Sequence, residues 1–122
     1  MRIIADAALV VVAVLHLGFL ILEMFLWTKP FGMRTFGLSP ELAQATAGLA
    51  ANQGLYNGFL AAGLIWGAIG GEGAYSIRLF FLGCVIVAGV FGAITAKRSI
   101  IYIQALPALL ALLAVLLAHK AA

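Results

Sequence analysis

Residues 3–27 read IIADAALVVVAVLHLGFLILEMFLW. As one helix this run would extend ~37 Å, enough to cross the hydrocarbon of a bilayer with some tilt. Soluble domains seldom hold so long an apolar segment. His16 and Glu23 sit inside it, and ionisable groups at membrane depth are costly unless they turn toward other protein groups. The run therefore sets the class of fold and marks where to look for a site.

The rest of the chain agrees. Apolar residues make up 66% of the 122 positions and charged residues 9%, against roughly half and a quarter in soluble domains. Too few polar side chains remain to cover a water-facing surface. The reading is a single all-α domain over residues 1–122: a four-helix transmembrane bundle running up-down-up-down. Its helices are expected at about 3–27, 40–69, 75–96 and 100–118. The protein is expected in a cell membrane, a bacterial inner membrane, as a multi-pass chain with the lipid bilayer as its main partner.

Local signals place the boundaries. Pro30, Gly32 and Gly37 punctuate the first connector, and Trp27 fits an interfacial aromatic. Half of that connector is apolar, so it is expected to lie on the membrane face or to fold back over the helix ends. Ser39-Pro40-Glu41 is a helix start, with a capping hydroxyl, a proline at the first helical position and an acid near the positive dipole end. Gly70-Gly71-Glu72-Gly73 is the sharpest turn, and Lys97-Arg98-Ser99 marks the last loop. Pro107 is expected to kink the fourth helix modestly. Gly54/Gly58 and Gly63/Gly67/Gly71 recur four apart, making grooves for close helix packing inside the chain.

The net charge is +3 and forms no basic run, which gives no reason to expect nucleic acid. Arg2, Arg78 and Lys120 flank one membrane face; Lys29, Arg34, Lys97 and Arg98 flank the other. That count favours both termini outside. The apolar start is too long for a signal peptide, whose core is ~7–15 residues. Cys84, the one cysteine, reads as a small buried hydrophobe.

His16 and Glu23 are seven residues apart, within ~20° of one helix face but separated by ~10 Å of rise. The second helix carries Asn52, Gln53, Tyr56 and Asn57. Counting depth from Trp27 and Ala45 brings His16 and Asn57 to similar levels, with Asn52 between the depths of Glu23 and His16. Tyr102 and Gln104 lie on the same connector side, so the eight residues are expected to line a blind polar vestibule. Burial disfavours charge on both groups, which makes a neutral carboxyl beside a neutral imidazole the expected resting form. One His and one Glu are too few for a metal site, and no cofactor is expected.

Three function classes fit. The first is binding or proton-coupled transport of a small amphipathic or cationic molecule, with Glu23 as charge partner, Asn52 and Asn57 orienting the guest and His16 accepting the proton. The second is a membrane-embedded acid/base enzyme, isomerase-like, acting on a lipid-like substrate. The third is a non-catalytic accessory subunit. A homodimer is compatible with each, and whether the chain is an enzyme is left open.

The run His16-x-x-Phe19-x-x-x-Glu23-Met24-x-x-Trp27, the Phe36-Gly37 connector and Asn52-Gln53-Gly54-x-Tyr56-Asn57-Gly58 resemble the domain-of-unknown-function 1304 family of small bacterial integral membrane proteins. The resemblance covers essentially the whole chain. It implies the membrane architecture and carries over no activity.

Overall fold

The computed structural model describes residues 1–122 and is all-helical. Its elements are α1 (Arg2–Met24), α2 (Pro30–Phe36), α3 (Pro40–Ile69), α4 (Tyr75–Thr95) and α5 (Leu106–Ala121). A 3-10 turn at Gly71–Ala74 precedes α4, and a π-helical turn at Ile101–Ala105 precedes α5. Four helices are long and α2 is a single short connector helix. By length and composition, three segments suit a membrane crossing: Arg2–Met24, Gly71–Thr95 and Ile101–Ala121. The 30-residue α3 is long enough as well, but Asn52, Gln53 and Asn57 dilute its apolar character.

The chain gathers into two compact units. One comprises Met1–Leu15 with Leu60–Ala122, the other His16–Phe59. The first unit is a four-helix packing around one core. Ala5, Leu9, Val12 and Ala13 come from α1, Ala61 and Leu64 from α3, Leu82 and Val85 from α4, and Ala108, Ala111 and Val115 from α5. Half of these are alanines, which let the helix axes approach closely where van der Waals packing replaces the hydrophobic effect. The outward side is apolar too: Ile3, Ile69 and Ile94 are each about four-fifths exposed, at 84%, 79% and 79%. Exposed apolar surface on this scale is a surface for lipid.

Glycine fixes the close approaches within this unit. A Cβ at Gly63 would run into the Phe81 ring, and one at Gly67 would meet Arg78 Cγ at 3.1 Å. At Gly89 it would lie 2.7 Å from the backbone nitrogen of Ala105, so α4 rests directly on the π turn. That turn also answers the expectation of a kink at Pro107. Proline has no N–H to give to the preceding turn. The chain widens over Ile101–Ala105 and restarts as α5 with Pro107 in its first turn. Gly71 takes φ +67 at the sharp turn, a backbone state that L side chains avoid.

The second unit is a helical hairpin: the end of α1, the connector helix α2 and the first two-thirds of α3. Ser39 Oγ accepts the Leu42 N–H at 3.1 Å, the cap read from the sequence. Helix α1 ends at Met24, three residues before the expected Trp27. The Phe25 and Leu26 amides both donate to the Ile21 carbonyl, which closes the helix. Lys29, held extended before Pro30, then redirects the chain into α2. Gly32 packs so tightly that a Cβ there would strike the Leu26 carbonyl. Phe36 returns onto Trp27, with ring centroids 4.8 Å apart.

Candidate functional site

In the hairpin unit, two glycines of α3 set the register against α1. A Cβ at Gly54 would lie 2.6 Å from Met24 Cγ and 3.2 Å from the Leu20 carbonyl oxygen; at Gly58 it would lie 2.8 Å from Leu20 Cδ1. With that register fixed, Asn57 Nδ2 donates to Glu23 Oε1 at 2.6 Å. Asn57 is buried at 6% exposure, while Glu23 is half-buried. His16 is fully enclosed and meets Phe19 edge-to-face, with centroids 5.3 Å apart. One turn beyond the end of α1, Trp27 Nε1 donates to Thr46 Oγ1 at 3.0 Å.

This register corrects the depth count. Asn57 is level with Glu23, and Asn52 lies on the connector side of it. Counting inward from Trp27 at helical rise fails because residues 25–29 are turn, which advances farther per residue than a helix. Trp27 is level with Thr46 as the count assumed, but Met24 is already level with Gly54.

The eight expected residues divide. Glu23 and Asn57 meet, and His16 is enclosed on α1. Asn52, Gln53 and Tyr56 lie on exposed faces of α3, with Tyr56 near the Phe59 ring at 6.1 Å. Tyr102 and Gln104 belong to the four-helix unit. Tyr102 is exposed and lines a cavity of about 480 Å³ with Ala93, Ile94, Arg98 and Ile101, and Gln104 is half-buried in the π turn. No three His, Cys, Asp or Glu side chains converge.

Sequence reasoning missed a second polar constellation, in the four-helix unit. Arg78, read as a flanking charge, is buried at 6% exposure. Its Nη2 lies 2.9 Å from Asp6 Oδ1 in an ion pair off the hydrogen-bonding line. Its Nε donates to the Gly67 carbonyl at 2.7 Å, and Nη2 reaches the Gly71 carbonyl at 3.4 Å. One guanidinium thus joins α1 to α4 and satisfies carbonyls at the end of α3 that have no helical partner. Asp6, an acid inside the first apolar run, was the available signal, because a buried carboxylate demands a cation. Nearby, Tyr75 stacks on His119 with centroids 3.7 Å apart and planes at 12°, tying the start of α4 to the end of α5.

The geometry defines a helical protein with membrane-type helices and two polar clusters. The family described as "Protein of unknown function (DUF1304)" matches residues 10–116, and the chain belongs to that family. No curated protein and no solved structure matches it.

Proposed function

We propose that this is a multi-pass cell-membrane protein whose Glu23–Asn57 pair receives the polar end of a small cationic or amphipathic molecule, with proton-coupled transport as its outcome. The 2.6 Å bond between the two side chains carries the reading. It uses one carboxylate oxygen and one amide proton. No group of the chain bonds to Glu23 Oε2 or to Asn57 Oδ1. Two acceptor oxygens held together suit a guest that donates, such as a primary ammonium. Glu23 is half-buried, so a guest can reach it, and His16 on the same helix supplies a proton-exchanging group deeper in the span.

Purified full-length protein in detergent, titrated with dodecylammonium and followed by native mass spectrometry, tests the binding. Glu23→Gln should weaken the adduct at least tenfold, the size expected for losing a charge-assisted bond. Asn57→Ala should weaken it less. In proteoliposomes, flux of the same probe should follow an imposed pH gradient and vanish with Glu23→Gln. Equal binding by wild type and Glu23→Gln would sink the proposal.

A further inference from the structure

The four-helix unit holds a cavity of about 410 Å³ where α1 starts, α5 ends and the chain turns from α3 into α4. That volume falls within the range of small-molecule sites, about 300–1,000 Å³. Arg2, Glu72, Tyr75, Arg78, Val115 and His119 are among its lining residues. We propose that it binds the phosphate oxyanion of a lipid-like amphiphile.

Donors dominate the lining. Arg78 is held rigidly by Asp6 and by the Gly67 and Gly71 carbonyls, and its Nη1 makes no bond to protein. A fixed guanidinium with a spare donor is preorganised for a phosphate oxygen. The Tyr75 hydroxyl and the His119 ring nitrogens also lack protein hydrogen bonds, and their stacked rings form one wall. Arg2 is a second cation. Its partner Glu72 stands 3.7 Å away, with the two side chains 55% and 85% exposed. Such a pair contributes little and exchanges readily, so an incoming phosphate can take Arg2 from Glu72. Val115 and Ala118 give the cavity an apolar side. The opening lies at the ends of segments that suit a membrane crossing, the level of lipid headgroups.

Glu72 is therefore a built-in competitor, and this gives the inference a signature that general lipid adhesion lacks. Native mass spectrometry of the full chain reads retained adducts of phosphatidylglycerol and phosphatidylcholine. Phosphatidylglycerol should be retained better than phosphatidylcholine. Arg2→Gln should weaken its adduct about tenfold, and Glu72→Gln should strengthen it. Arg34→Gln on α2 should change nothing, nor should Glu23→Gln, which separates this cavity from the site proposed above. Displacement of the lipid by millimolar inorganic phosphate, with the same variant order, would assign the cavity to free phosphate as well; no displacement would assign it to headgroups. Equal retention of the two lipids overturns the proposal. So does phosphatidylglycerol binding that ignores both Arg2→Gln and Glu72→Gln.

Discussion

Arg78 makes three attachments from one buried side chain, and its removal should be felt throughout the four-helix unit. Arg78→Ala would leave Asp6 without its cation and the Gly67 carbonyl without a donor. Breaking a buried pair from one side costs about 3–5 kcal/mol, which should appear as a large loss of thermal stability in detergent. Arg2→Ala, in an exposed pair, should stay within about 0.5 kcal/mol of wild type. Arg78→Lys should fail to rescue, since an ammonium cannot reproduce the planar fork. Across the hairpin, a double-mutant cycle of Glu23→Gln and Asn57→Ala should give a coupling of about 0.6–2 kcal/mol; no coupling would mean that the 2.6 Å bond does not form. At this scale the sequence was half legible. Glu23 and Asn57 stood out because carboxyl and amide groups are rare in apolar helices. Arg78 did not, because at a helix end a cation looks like an ordinary headgroup anchor until its partner on another helix is known.

Helix by helix, what was legible depended on whether a boundary is set locally. The start of α3 was readable because Ser39, Pro40 and Glu41 act on their own neighbours. Ser39→Ala should cost about 1 kcal/mol in chemical denaturation, with α3 otherwise intact. The end of α1 was not readable. It depends on how residues 25–29 pack beneath α2, with Gly32 against the Leu26 carbonyl. The glycine spacing correctly pointed to packing inside the chain, and Gly54, Gly58, Gly63 and Gly67 are each covered by the chain's own side chains. Two glycines of α4 make the contrast testable. Gly83 has open space where a Cβ would go, whereas at Gly89 the obstacle is backbone. Gly83→Ala should be neutral or stabilise by up to about 1 kcal/mol. Gly89→Ala should destabilise by about 1–3 kcal/mol. Equal melting temperatures for the two variants would contradict the contact between α4 and the π turn.

For the whole molecule, composition alone announced a helical membrane-type protein, and the family match over residues 10–116 agrees with it. Composition did not settle how many helices cross. Three segments qualify, while α3 has the length without the apolarity. Four crossings put both termini on one side of a membrane, and three put them on opposite sides. Reporter fusions at Met1 and Ala122 should read the same compartment; opposite readings would mean that α3 stays out of the hydrocarbon. The π turn at Ile101–Ala105 adds a consequence for this chain's tolerance of deletions. It holds a surplus residue relative to regular winding. Excising that residue would give α5 a smoother backbone yet shift its angular phase by ~100°. Ala108, Ala111 and Val115 would swing out of the interior together. The irregularity is thus the timing mark that keeps the last helix in step with the others, and straightening it would be more damaging than leaving it bent.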